Sequence, residues 1–151
     1  MASEIAAEMS IAEHAEAEAR RNAYARVPFT RMMGVERAYS EDGRARLLIE
    51  ARPELQNVIG AVHGGVILTM LDVVMASAAV SLVDFTKTAV TLNLNTSFLR
   101  PGLGRIVADG FALETDDGVV SCSAEARDAS GELVASALGS FRYLPLPSSE
   151  N

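Results

Sequence analysis

A chain of 151 residues fits one domain, and at that size it buries roughly 68–70% of its unfolded surface without needing a disulfide or metal staple. Its formal net charge of −7 excludes the basic face that nucleic-acid binding needs, argues against an anionic membrane surface as partner, and gives no global steering toward an anionic substrate, so any phosphate contact must come from local arginines. A hydrophobic content of 49% is rich for a small monomer, and part of the apolar surface is expected to lie between subunits.

Residues 3 to 26 are rich in Ala, Glu and Arg, with acidic residues first (Glu4, Glu8, Glu13) and Arg20, Arg21 and Arg26 last, an order that complements a helix dipole. Ser3 is the expected N-cap and Pro28 the stop. The apolar face is thin (Ile5, Met9, Ala12, Tyr24), so this helix is expected to be peripheral, with His14 solvated. Residues 29 to 34 read as a short connecting turn or helix. Strand patterns at 35–40 and 44–51 flank Glu41-Asp42-Gly43, a hairpin turn with Gly where positive φ is needed. Residues 53 to 62 read as a loop. A long apolar helix opens at Gly64 or Gly65 and ends near residues 83–84. Residues 88–99 alternate and are rich in β-branched types, and Pro101-Gly102 closes the run. Three further strands follow at 104–114, 119–128 and 132–143, joined by turns at Asp116-Asp117-Gly118 and Ala129-Ser130-Gly131. The expected division is an N-terminal helical extension over 1–28, a main domain over 29–144 and a flexible tail over 145–151. The fold class is α+β, an antiparallel sheet wrapped around one long buried helix.

The apolar run from Val66 to Val83 carries a single charge, Asp72. As a membrane span it would bear that carboxylate near its centre at ~2.5–3.5 kcal/mol, with no Lys or Arg flanking it closely, so a core helix is the better reading. No membrane partner is expected. An ionised carboxylate among apolar residues needs partners or a chemical role. The pair Gly64-Gly65 ahead of it sets bare backbone N–H groups at a helix start, where partial positive charge collects. The one cysteine, Cys122, excludes an internal disulfide and reads as a packed strand residue. One Cys and two His do not make a zinc site, so neither metal nor redox cofactor is expected. The N-terminus has neither a basic n-region nor an apolar h-region, which makes the cytoplasm the default compartment.

Asn57, then His63-Gly64-Gly65, then Asp72, followed by Thr91-Leu-Asn-Leu-Asn-Thr-Ser-Phe-Leu-Arg-Pro101, resembles the PaaI-type acyl-CoA thioesterases of the hotdog fold over about residues 29 to 143. The stretch Phe29-Thr-Arg-Met-Met-Gly34 is also similar. The resemblance implies roles. Gly64 donates its amide to the thioester carbonyl, and Asp72 is general base or nucleophile. Thr91 helps hold the attacking water, Asn57 orients substrate or water, and His63 supports the thioester end. It further implies acyl-CoA as substrate, sites shared between two protomers, and a dimer of dimers. The long N-terminal helix, and Thr in place of Ser at position 91, depart from the family pattern.

Spacing supports a shared site independently. Asp72 lies eight positions after Gly64, about 12 Å along a helix axis, too far for both to close on one carbonyl. Gly65, Arg100 and Arg105 are candidate substrate contacts, the arginines for the phosphates of coenzyme A. Each residue alone also has a structural reading: Gly64 and Gly65 as a tight turn, His63 as a hydrogen-bonded structural residue, Asn57 in a turn, Thr91 as strand filler, Asp72 in a buried ion pair, the arginines as solvated turn charges. The expected activity is hydrolysis of a medium-chain or aryl acyl-CoA. A non-catalytic acyl-CoA binder and an enoyl-thioester hydratase or dehydratase are the alternatives.

Overall fold

Alternating burial and three glycine-bearing turns produce a single antiparallel sheet. The computed structural model describes residues 10–147. Its strands are β1 Glu36–Glu41, β2 Arg44–Ile49, β3 Lys87–Phe98, β4 Ile106–Asp116, β5 Val119–Arg127 and β6 Leu133–Pro145, and its helices are α1 Ile11–Ala25, α2 Pro28–Met33 and α3 Gly64–Ser81. The strand order is β1-β2-β4-β5-β6-β3, with every pairing antiparallel. At the β1–β2 and β4–β5 turns both central residues have positive φ, Asp42 with Gly43 and Asp117 with Gly118. Those turns match the twist of the strands they join.

The sheet curls around α3, which touches all six strands. Ile67, Met70, Leu71, Val74, Met75 and Ala78 are buried along it, and each large apolar side chain contributes about 1.5–3 kcal/mol on leaving water. Gly110 of β4 permits this closeness, since a Cβ there would lie 2.6 Å from the Val74 carbonyl oxygen. The buried C-terminal carbonyls of α3 are satisfied from the sheet side: Tyr143 donates its hydroxyl to Ala79 O and Ser40 to Ser77 O. By length and composition α3 could cross a membrane, yet 61% of it is buried within the chain, as a core helix is. It is not wrapped all round. Gly65 and Leu68 are exposed and Thr69, Asp72, Val73 and Ala76 only partly buried, which leaves one stripe open.

Several expectations are corrected. The first helix does not run unbroken from residue 3. Ser10 is extended and caps α1 by accepting from the Glu13 amide while the Glu13 carboxylate accepts from the Ser10 amide, a reciprocal box that starts a helix. Ser3, Ile5 and Met9 lie outside the described residues. α1 is peripheral as expected, exposed along most of its length, but its C-terminal end is anchored. Tyr24 stands edge-on to Phe85 at 5.5 Å and donates its hydroxyl to Lys87 O. The loop after Ala51 contains a 3-10 turn, Pro53–Leu55. β6 runs on to Pro145, paired with Lys87, so the first residue of the expected tail belongs to the sheet. Residues 148–151 lie outside the described residues. His14 is exposed as expected, and Cys122 is fully packed. Burial pushes its thiol up to about 12.

Candidate active site

Asp72 sits on the open stripe of α3 facing β3. The Thr91 hydroxyl donates to its Oδ1 at 2.6 Å. No other donor reaches this carboxylate and no cation pairs with it among the described residues. One carboxylate oxygen is left free for a further proton donor. A bulge helps to set the pair: the β3–β6 register slips between Thr91 and Asn93, and bulges re-aim the side chains beside them.

Asp72 and Thr91 border a cavity of about 310 Å³ between α3, β3 and the N-terminal elements. Its walls are chiefly apolar, from Val27, Leu47, Val73, Ala76 and Val90. Tyr24, Arg37 and Ser77 line it too. Burial raises the Tyr24 phenol and depresses the Arg37 guanidinium, each away from its ordinary value.

The other expected residues gather at the opposite end of α3. His63 is its N-cap, and the Gly65 amide donates to His63 Nδ1 at 2.9 Å. An Nδ1 that accepts leaves the ring proton on Nε2. The Gly65 N–H is thus spent on the cap. His63 itself is exposed, held by its own amide to Leu55 O. The Gly64 amide has no acceptor among the described residues, which fits a donor waiting for a ligand. Asn57 holds the loop: its Oδ1 accepts from the Ile59 and Ala61 amides, each at 3.1 Å. Its side-chain NH₂ has no partner among the described residues.

Asn57, Gly64 and Arg100 border a second cavity of about 350 Å³, with Phe98 and Pro101 among its walls. Arg100 donates to Leu133 O at 3.0 Å and stands 3.7 Å from the Glu132 carboxylate. Arg105 is paired tightly with Glu50 and does not line this cavity. One chain thus brings Asp72 to Thr91, and Asn57 to Gly64 and Arg100, in two separate places. Sequence reasoning missed Tyr24, Arg37 and Ser77 as lining residues. Nothing local marks them, because they come from three elements distant in sequence, α1, β1 and α3.

Comparisons with known proteins bear on the family and the fold. The family model of the thioesterase superfamily matches residues 59–135. A candidate esterase of Saccharolobus solfataricus is 33% identical over 105 residues, 69% of this chain and 74% of that protein. Another from Halobacterium salinarum is 34% identical over 121 residues, 73% of this chain and 80% of that one. Among solved structures, a thioesterase family protein of Silicibacter pomeroyi has a TM-score of 0.78 at 24% identity, over 86% of this chain and 98% of the other. The E. coli PaaI protein from the phenylacetic acid degradation operon has a TM-score of 0.77 at 19% identity, over 86% and 94%. At those identities the structures speak to the fold. Family match, sequence relatives and sheet-wrapped helix together make this chain a member of the thioesterase superfamily with the hotdog fold.

Proposed function

We propose that the protein hydrolyses acyl-CoA thioesters to a carboxylic acid and free coenzyme A, at sites built by two protomers. The observation that carries this reading is the half-buried Asp72, held by one hydroxyl at 2.6 Å and tied to no cation among the described residues. Its second oxygen is not among the buried unpartnered atoms, so it stays open to a water at the cavity.

The Asp72 carboxylate takes a proton from a water that Thr91 helps to hold. The water oxygen bonds to the thioester carbon, and the carbonyl electron pair moves onto oxygen. The Gly64 amide at the positive end of α3 stabilises that oxyanion. The pair then returns, the C–S bond breaks, and the thiolate receives the proton from Asp72. Direct attack by the carboxylate is the variant, with an anhydride that water then opens. Asn57 turns its free NH₂ to the substrate, and His63 fixes the helix start beside it. Arg100, loosely paired at 3.7 Å, meets a coenzyme A phosphate. No metal or redox cofactor enters the reaction.

Gly64 and Asp72 lie about 12 Å apart along one helix, so the acyl cavity of one chain meets the Gly64 of a second. β3 favours that assembly. It is the sheet's edge, 12 residues long, with Leu92 at 53% and Phe98 at 53% exposed. An edge of that kind invites pairing with another copy, and two dimers associating complete the expected tetramer. A coenzyme A thioester as substrate fits an enzyme of the cytoplasm. The cavity suits a medium aliphatic chain or a small aryl group.

A panel of acyl-CoA substrates followed by thiol release tests the proposal. Asp72→Asn is expected to lower turnover by about 10²–10⁴-fold, the usual worth of a positioned base, with acyl-CoA still bound. Unchanged rate and affinity in this variant would leave only a binder. Loss of an enoyl double bond without thiol release would indicate a hydratase.

A further inference from the structure

The Asp72 cavity has a cationic far end. Ser77 follows Asp72 by five positions on α3, about 7.5 Å along the axis, and the Arg37 guanidinium reaches it from β1. That contact is long, 3.4 Å to the Ser77 hydroxyl. The Arg37 Nε is buried with no hydrogen-bond partner, and no carboxylate pairs with this arginine among the described residues. Its face lies 5.8 Å from the Phe85 ring centroid. Stacking satisfies the face of a guanidinium and leaves its edge N–H groups wanting acceptors. The contrast with other arginines is informative: Arg46, Arg105 and Arg127 are more open to water, yet each has a carboxylate. Arg37 is partly buried and lacks the counter-charge that those exposed arginines have, and a cation so placed is unfavourable until an anion joins it.

We propose that Arg37 is a specificity-determining residue that selects acyl groups ending in a carboxylate, so that the substrate is the monothioester of a dicarboxylic acid. This rests on the thioesterase reading of the same site. With the thioester carbon beside Asp72 and Thr91, a short acyl chain runs past Val73 and Ala76 and delivers its terminal carboxylate to the guanidinium edge. That pairing is charge-assisted and open to two parallel bonds. A plain alkyl end in the same place leaves the guanidinium unpaired, a mismatch that binding sites reject strongly.

The test uses the full chain with two six-carbon substrates, adipoyl-CoA and hexanoyl-CoA, followed by thiol release. Wild type is expected to favour adipoyl-CoA by about tenfold or more in kcat/KM, chiefly through KM. Arg37→Met is expected to abolish that preference, adipoyl-CoA losing kcat/KM while hexanoyl-CoA, freed of the unpaired cation, holds or gains, and Arg37→Lys to retain part of it. Free adipate is expected to inhibit wild type more strongly than hexanoate, a readout that stands even if Arg37→Met does not fold. Preference for hexanoyl-CoA in wild type, or an equal fall for both substrates in Arg37→Met, overturns the proposal. If hexanoyl-CoA and other plain acyl-CoAs are turned over and a terminal carboxylate brings no gain, only the role of Arg37 fails. If no acyl-CoA is turned over, the thioesterase reading fails with it.

Discussion

A single hydroxyl decides how the Asp72 carboxylate is aimed. Thr91 lies on β3 and Asp72 on α3, and their 2.6 Å bond is the side-chain link between those elements in the cavity. Thr91→Val keeps the branched shape and removes the donor. It is expected to lower kcat by about tenfold, roughly 1.4 kcal/mol of barrier, whereas Thr91→Ser restores most of the rate. Cys122 gives a contrasting outcome. With its thiol pushed up to about 12, it stays protonated at neutral and mildly alkaline pH, and the thiolate is the reactive form. Native protein at pH 8 is expected to resist iodoacetamide, and denatured protein to be alkylated, as mass spectrometry would register. Asp72 was legible in the sequence because a lone charge in an apolar run stands out, whereas Thr91, one of several hydroxyl residues in its strand, was marked only by the family resemblance. Gly65, His63 and Asn57 were legible as a cluster but not in their division of labour. The bonds that tie His63 Nδ1 to the Gly65 amide and Asn57 Oδ1 to its own loop exist only once the loop has closed. Arg37 was not legible as a site residue, since its neighbours Ser77, Phe85 and Tyr24 are distant in sequence.

At the scale of elements, the position of Asp72 depends on how deeply α3 lies in the sheet. Gly110 sets that depth. A Cβ at this position meets Val74 O at 2.6 Å and Met75 N at 3.1 Å, and both are backbone atoms that cannot swing aside. Gly110→Ala is therefore expected to destabilise the fold by about 1–3 kcal/mol, measured as a lower denaturant midpoint at unchanged slope. The end of α3 carries a second constraint. Phe85 is only 1% exposed, yet it has φ +58, a left-handed conformation that costs a non-glycine residue about 1–3 kcal/mol. Its ring explains the choice, because it anchors Tyr24 and stacks with Arg21 and Arg37. The hairpins were readable from Asp42-Gly43 and Asp117-Gly118, where the turn chemistry is local. Phe85 was not, because its strain is offset by contacts with α1 and β1. The same contacts bring the N-terminal helix to the cavity wall, which the thin apolar face of that helix did not announce.

For the whole molecule, the decisive question is whether one chain holds a complete site. Gly64 and Asp72 open toward different cavities, and the rigid helix between them forbids a closer approach. Two inactive variants therefore ought to rescue each other. Asp72→Asn removes the proposed base. Gly64→Pro removes the amide hydrogen at the first helical position, where proline is well tolerated, and His63 before it already has a compatible extended backbone, φ −58 and ψ 138. The added Cβ meets Phe98 at an ordinary 3.5 Å. In a mixed dimer, one site receives both substitutions and is doubly disabled, while the other joins the intact Asp72 of one chain to the intact Gly64 of its partner. Random assembly makes half the dimers mixed, each with one working site of two, so co-expression or co-refolding is expected to recover about a quarter of wild-type turnover. Recovery should follow the mixed-dimer fraction resolved by native mass spectrometry with distinct tags. A mixture no more active than the separate variants would place the whole reaction within one protomer, and the catalytic pairing of Asp72 with a partner's Gly64 would have to be abandoned.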